Sequence, residues 1–138
     1  MNGNLIFVTI FLLILPFMVN GNFRWSTCSI NDVDADIINV SWGPDPVGAK
    51  GTILQANVSQ TLTNPTTAIA VIIFSFNDVY GRIAGDTMHP LQPGITNIEG
   101  TYNVIVPDFI PNSFTFSAMI YDFELEVISN CVLFHRFR

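Results

Sequence analysis

The sequence predicts an all-β protein, an immunoglobulin-like antiparallel sandwich of two sheets, and three observations lead to this prediction. The stretch Thr67–Phe76 is apolar in both of its alternating sets, which is typical of a buried strand. The segments Thr52–Leu62 and Ser113–Tyr121 alternate apolar and polar residues, as strands with one buried face do. No segment keeps a helical period, and 138 residues allow one domain with its own core.

Turn signals separate the predicted strands along the chain. Gly43-Pro44-Asp45-Pro46 ends the first strand, because proline lacks an N–H donor and fixes φ. Asn64-Pro65 and Asn77-Asp78 provide turns on either side of the apolar stretch. The segment Gly85–Asn97 combines prolines and glycines with little periodicity, so we expect a loop there. In chain order the predicted strands are Ile37–Trp42, Thr52–Leu62, Thr67–Phe76, Val79–Ala84, Thr101–Val106, Ser113–Tyr121 and Glu124–Phe134.

The first part of the chain has the composition of a secretory signal. Leu5–Val19 is an almost unbroken apolar run, and the small residues that follow fit cleavage after Gly21. The alternative is a membrane anchor, but the run is shorter than the roughly 20 residues of a spanning helix and Pro16 interrupts it. We therefore expect residues 1–21 to be a signal peptide and residues 22–138 to be the mature domain.

A secreted chain meets oxidising conditions, which favour disulfides. Cys28 and Cys131 lie near the two ends of the mature chain and are predicted to pair, closing a loop of roughly 100 residues. The alternative is two buried free thiols. Asn39 and Asn57 each begin an Asn-Val-Ser sequon and are predicted glycosylation sites if the chain enters the secretory route.

Charge and motifs exclude several classes of function. The formal net charge is −6 with only five Lys and Arg residues, so we expect no nucleic-acid partner and little attraction to anionic membranes. No nucleophile motif supports a catalytic triad, and no glycine-rich loop fits a phosphate. Asp122, Glu124 and Glu126 resemble a carboxylate pair for glycoside chemistry, but alternation favours a solvated strand edge. We therefore predict that the protein is not an enzyme.

The acidic segment Asp32–Asp36 is the strongest candidate for a metal site, and its spacing argues against one. A calcium loop that starts at its first aspartate needs glycine at the sixth position and an acid at the twelfth. Ile37 and Gly43 occupy those positions. His89 and His135 lack a zinc-type spacing. No metal or cofactor is expected.

The segment Val40-Ser-Trp-Gly-Pro-Asp-Pro-Val47 begins an ordered set of motifs that follows Cys28. Pro90-Leu-Gln-Pro-Gly94 and Val106-Pro-Asp-Phe-Ile-Pro111 come later, and Ile120-Tyr-Asp122 precedes the last cysteine. This set resembles the ML-type lipid-recognition family, which includes the Niemann-Pick type C secreted sterol carrier and the phosphatidylglycerol/phosphatidylinositol transfer proteins. The resemblance covers essentially all of the mature chain.

The resemblance implies a secreted lipid-binding and intermembrane lipid-transfer protein that holds its ligand in an apolar cavity between the two sheets. The implied ligand is phosphatidylglycerol, phosphatidylinositol or a sterol, bound by a monomer that contacts membranes transiently. The implied location is outside the cell or in the endolysosomal lumen. The alternatives are an extracellular lipid-sensing module that acts with a protein receptor, a structural sandwich without ligand, and a hydrolase.

Alternation supplies the candidate lining of that cavity. The predicted lipid-binding residues are Leu54, Val58, Leu62, Phe74, Phe76, Tyr102, Val104, Phe114, Phe116 and Ile120. Each of them would also serve as an ordinary core residue. Ile69, Val71 and Ile73, or Met119, could instead dock a membrane or a partner. His89 stands where the family has a cysteine, so the loop around it is expected to be more mobile than in relatives.

Overall fold

The structure of the protein is a computed structural model, and it describes residues 25–30 and 33–137. The predicted signal peptide lies outside the described residues. The strands are β1 (Trp25–Ser26), β2 (Ser29–Ile30), β3 (Val33–Asp34), β4 (Val40–Gly43), β5 (Ile53–Thr61), β6 (Ala70–Asp78), β7 (Ile83–Pro90), β8 (Asn97–Ile105), β9 (Ser113–Asp122) and β10 (Val127–Phe137). Across these described ranges the chain contains no membrane-spanning helix.

The strands build two antiparallel sheets that pack face to face, which confirms the predicted all-β sandwich. The larger sheet has five strands in the order β1-β10-β9-β6-β7, and the smaller has three in the order β4-β5-β8. β2 and β3 form a separate two-stranded ribbon. β9 lies at the centre of the larger sheet and pairs along its length with both β10 and β6. This arrangement leaves β1 and β4 as sheet edges on the same side of the sandwich.

The core lies between the sheets because strand alternation turns the apolar set of each strand inward. β5 buries Leu54, Ala56 and Val58 and exposes the residues between them, as predicted. Its inward residues oppose those of β9, where Phe114 and Phe116 are buried. The inward side chains of both sheets form one continuous apolar cluster.

β6 is the strand that the sequence marks as apolar on both faces. Ile72, Phe74 and Phe76 point into the core and are fully buried. Val71 and Ile73 lie on the outer face of the larger sheet, where they are only partly buried. The outer set therefore contacts neighbouring side chains of its own sheet and also reaches the surface.

The prediction of a loop over Gly85–Asn97 is wrong for Gly85–Pro90, which belongs to β7, whereas residues 91–96 form the connection between β7 and β8. Residues from Ile83 to Pro90 pair with β6 in an antiparallel ladder, with a shift of register after Phe76. β7 is an edge strand whose side chains are mostly exposed, so backbone pairing holds it without an apolar pattern. The predicted strand Val79–Ala84 is instead mainly the turn between β6 and β7.

The predicted disulfide is confirmed. Cys28 and Cys131 are bonded, and their Cα atoms lie 5.6 Å apart across a sequence separation of 103 residues. The bond ties the segment between β1 and β2 to β10, so it joins the first described strands to the last one. A disulfide is consistent with an extracellular or lumenal protein.

Candidate functional site

A groove opens between the two sheets on the side where neither sheet has a pairing partner. Its floor comes from Val132 and Phe134 of β10, and its rim comes from β1 and the segment before β4. The groove has a volume of about 370 Å³, which lies within the usual range of ligand pockets. We call it the seam groove, and it is lined by Trp25, Ile37, Ile38, Asn39, Val40, Val132 and Phe134.

The seam groove is apolar almost throughout, and Asn39 is the one polar side chain in its lining. Ile38, Val40, Val132 and Phe134 are buried members of the core cluster. Trp25 is 52% exposed and Ile37 is 45% exposed, so the rim presents large apolar surfaces to solvent. An apolar ligand in the groove would remove those surfaces from water and contact the core directly.

Trp42 lies behind the groove and carries an unusual polar atom. Its ring centroid is 5.8 Å from that of Phe134 and 5.0 Å from that of Phe116. The indole is 3% exposed, and its Nε1 donor has no hydrogen-bond acceptor among the described residues. A buried donor without a partner costs free energy, so the Trp42 Nε1 atom is an unusual feature of this core.

An ion pair closes the seam on one side of the groove. Arg136 Nε of β10 donates to Asp45 Oδ2 of the β4–β5 loop over 2.9 Å. Both side chains are largely buried, and the guanidinium lies 5.0 Å above the Trp42 ring. The pair therefore links the two sheets where no strand ladder crosses the seam.

The opposite side of the sandwich is closed by contacts between β7 and β8. The ring nitrogen Nε2 of His89 lies 3.0 Å from the Asn103 carbonyl oxygen, and the Ile105 amide donates to Thr87 Oγ1 over 3.3 Å. The His89 ring also packs against Tyr102 at 5.2 Å. His89, which occupies the expected cysteine position, thus connects the two sheets without a disulfide.

The structure places the predicted lipid-binding residues together on the inner faces. They are Leu54, Val58, Leu62, Phe74, Phe76, Tyr102, Val104, Phe114, Phe116 and Ile120. Their rings fill the space between the sheets, since Phe116 stacks against Phe74 with ring centroids 6.2 Å apart and packs at a tilt against Phe76 at 5.1 Å. Tyr102 is partly buried, and this burial raises the pKa of its hydroxyl. These residues form a packed aromatic core, which lies directly behind the seam groove.

A second cavity occupies the end of the sandwich where β9 turns into β10. It measures about 380 Å³ and includes the predicted residues Leu62 and Ile120. The carboxylates of Asp36 and Asp122 also lie in its wall. We call it the end cavity, and its mixed lining suits an apolar chain less well than the seam groove does.

The carboxylate of Asp122 has a structural role at this end. Burial opposes its ionisation, but hydrogen bonds from Thr67 and from the amides of Leu125 and Glu124 outweigh that effect and lower its pKa. Its Oδ1 accepts from Thr67 Oγ1 over 2.8 Å and from the Glu124 amide over 2.9 Å. These partners lie in the turn before β6 and the turn after β9, so the carboxylate stabilises both turns.

Other predicted positions lie at the surface. Asn39 and Asn57 are both exposed, so each sequon is accessible, and glycosylation of either stays a prediction. Ile69, Val71, Ile73 and Met119 share the outer side of the larger sheet, where Ile69 is half exposed. Within the described part of the chain, no three His, Cys, Asp or Glu side chains are grouped as metal ligands.

The sequence identified none of the groove-lining residues as ligand contacts. It predicts strands that contain Ile37, Ile38, Val40, Val132 and Phe134, but it gives these residues no role in binding. Only the pairing of β1 with β10, rather than with β4, shows that a gap opens between these elements.

Comparisons with known proteins do not assign this chain to a family. No protein-family model matches it, and a comparison with curated proteins also gives no significant match.

Proposed function

We propose that this protein binds a lipid, holds it at the seam groove between its two sheets, and carries it between membranes. The observation that carries the proposal is the groove itself, an apolar opening that leads from solvent to the core of a two-sheet sandwich. A ligand that buries about 300 Å² of apolar surface there would gain roughly 7 kcal/mol before the costs of association.

Binding a whole acyl chain or sterol requires core side chains to move and enlarge the groove. Phe134 separates the groove from Trp42 and Phe116, and the three rings contact one another edge-on or in a tilted stack. A rotation of the Phe134 side chain would extend the groove towards the predicted lining residues. The unpaired Trp42 Nε1 would then be able to donate to a hydroxyl or carbonyl oxygen of the ligand. This chemistry fits the sterols and glycerophospholipids that the resemblance implies.

The proposed setting is extracellular or endolysosomal, where the Cys28–Cys131 bond is stable. The mature domain acts as a monomer without a cofactor and performs no covalent step. Its role is to shield an apolar ligand from water during transfer.

The first test is direct binding in the absence of membranes. The purified mature protein should bind a fluorescent sterol or a fluorescent phosphatidylglycerol, and native mass spectrometry of the secreted protein should detect a bound lipid. Ile37→Asp places a charge on the groove rim and should weaken binding about tenfold or more, because the ligand would have to desolvate the carboxylate.

The matched control is Ile69→Asp, since Ile69 is an isoleucine of similar exposure that lies away from the groove. This variant should bind as the unchanged protein does. The proposal is wrong if no lipid is bound, or if both variants lose binding to the same extent while remaining folded.

A further inference from the structure

Several large apolar side chains are exposed together at one end of the sandwich. This end, which we call the loop end, consists of the β4–β5 loop, the β6–β7 turn, the β8–β9 loop and the end of β10. Register places these segments side by side, because Phe114 at the start of β9 pairs with the last residue of β6 and with Arg136 of β10. The exposed apolar side chains there include Val79, Tyr80, Ile83, Phe109 and Phe137, each 65% exposed or more.

The β6–β7 turn holds its apolar side chains in a fixed arrangement. Asp78 Oδ1 accepts from the amides of Tyr80 and Arg82 at 2.8 and 2.9 Å, and its Oδ2 accepts from Arg82 Nε at 2.6 Å. Gly81 has φ of +79°, which a residue with a side chain adopts only with strain. The Arg82 guanidinium lies 5.4 Å above the Tyr80 ring. Little conformational entropy therefore remains to be lost when this turn meets a partner.

The β8–β9 loop presents Phe109 beside that turn. Ile110 is buried in the core and fixes the loop from below, while Phe109 is 73% exposed. Pro107 lies against Gly85, where an added Cβ would come within 2.7 Å of the proline Cβ. The β6–β7 turn and the β8–β9 loop therefore belong to one surface.

Charge distinguishes the loop end from the opposite end. The loop end has the cations Lys50, Arg82 and Arg136 and an equal number of carboxylates, those of Asp45, Asp78 and Asp108. Arg82 pairs with Asp78, and Arg136 pairs with Asp45. The opposite end has an acidic turn that contains Glu124 and Glu126, and no lysine or arginine among the described residues lies near it. The net negative charge of the chain is therefore concentrated away from the loop end.

We propose that the loop end is the surface on which this protein docks on a lipid bilayer. Tyrosine and phenylalanine at loop tips suit the interface between headgroups and acyl chains, and balanced local charge removes the penalty for approaching the bilayer. The acidic turn at the other end points away from the membrane in this orientation. The use of docking for lipid delivery rests on the proposed function, whereas the docking itself does not.

The occupant is a bilayer rather than a second copy of the chain or another protein. The exposed residues are at the tips of separate loops, so they form protrusions instead of the flat self-complementary patch that a twofold dimer requires. Protrusions with aromatic tips can insert into a fluid interface whatever its detailed shape. Because the local charges are nearly balanced, binding should depend mainly on apolar insertion and only weakly on salt.

The test is co-flotation of the full mature chain with vesicles of phosphatidylcholine, alone or mixed with phosphatidylglycerol. The protein should float with both compositions. Tyr80→Asp combined with Phe109→Asp should lower the partition coefficient about tenfold or more. The matched control is Phe123→Asp combined with Leu125→Asp, which changes exposed apolar residues of the acidic turn and should leave flotation unchanged.

Amide hydrogen exchange gives a second measurement that needs no variant. Vesicles should slow exchange at residues 79–83 and 108–110 and leave residues 123–126 unaffected. The proposal is overturned if the protein does not float, if both double variants lose flotation equally, or if protection appears elsewhere. Concentration-dependent dimerisation without flotation would identify a second copy as the occupant and would also overturn it.

The two proposals can fail separately. Binding of a fluorescent lipid in solution without vesicle flotation would retain the seam groove and remove the docking surface. Flotation without lipid uptake would do the reverse.

Discussion

Asp122 shows how one carboxylate organises two turns at the acidic end. It is nearly buried at the end of β9, where Thr67 and two amides of the following turn donate to it. Because these bonds favour the ionised form, they lower its pKa below the ordinary value of 3.8. The carboxylate therefore stabilises the fold above pH 3.8, and this contribution is lost as the pH falls through the lowered pKa.

Replacement of Asp122 by asparagine should test this linkage. At neutral pH, Asp122→Asn should lower the urea midpoint of unfolding, because the variant keeps the shape but loses the charge. The difference from the unchanged protein should shrink at pH values below 3.8, where the native carboxylate is progressively protonated. Glu124→Gln changes an exposed neighbour and is the control. A difference that stays constant with pH would contradict the assigned role.

Trp42 packs as an ordinary core residue, but its indole Nε1 donor has no hydrogen-bond acceptor among the described residues. Its ring contacts three other core or seam groups, which a tryptophan in a sandwich core commonly does. Its unpaired donor distinguishes it, since buried indole N–H groups usually find an acceptor. The sequence marked this tryptophan as part of a motif, and only the packing shows that its nitrogen is left without a partner.

At the scale of elements, β7 is a strand that the local pattern of side chains does not predict. Its composition includes Gly85 and Pro90, and most of its side chains are exposed. The strand is held by its ladder with β6 and by contacts with β8 on the side opposite the seam groove, such as the bond from the Ile105 amide to Thr87 Oγ1. The ladder uses backbone groups, which every sequence offers, so no periodicity of side chains predicts it.

Gly85 tests the contact between β7 and the β8–β9 loop. An added Cβ would meet Pro107 at 2.7 Å, so Gly85→Ala must displace the edge strand or the loop and should destabilise the fold by about 1–3 kcal/mol. Gly100→Ala is the matched control in another strand, where the new atom would meet only the Tyr102 ring at 3.6 Å. Urea unfolding measures both variants. Equal stabilities would show that β7 does not pack as described.

At the scale of the whole molecule, the disulfide joins distant parts of the chain. Cys131 is fully buried in β10, next to the centre of the larger sheet, and its partner Cys28 follows β1. The bond therefore keeps the first strand and the adjacent wall of the seam groove attached to β10. Both the fold and the candidate site depend on this attachment.

Removal of the disulfide should destabilise the fold strongly, because the bond closes a long loop. For a sequence separation of 103 between the cysteines, the chain-entropy model gives a loss of about 4–5 kcal/mol. The double variant Cys28→Ser, Cys131→Ser should show this loss in guanidinium unfolding compared with the oxidised protein. A loss below about 1 kcal/mol would mean that the unbonded chain is already held by its other contacts.

The sequence by itself determined the fold class, the inward-facing residues of β5, β6, β8 and β9, and the pairing of its two cysteines. These features follow from local alternation and from the simple fact that only two thiols exist, so they need no knowledge of long-range contacts. Alternation along the strands also predicts which apolar side chains lie between the sheets.

Tertiary structure alone decided which sheet edges stay unpaired, and with them the seam groove and the loop end. Trp25 and Phe134 meet because β1 joins β10. Tyr80 and Phe109 share one end because the pairing of β6 with β9 places the β6–β7 turn beside the β8–β9 loop. Hydrogen bonds between distant backbone segments select these neighbours. Such bonds leave almost no trace in side-chain order, which is why the strands could be predicted from the sequence but the groove between them could not.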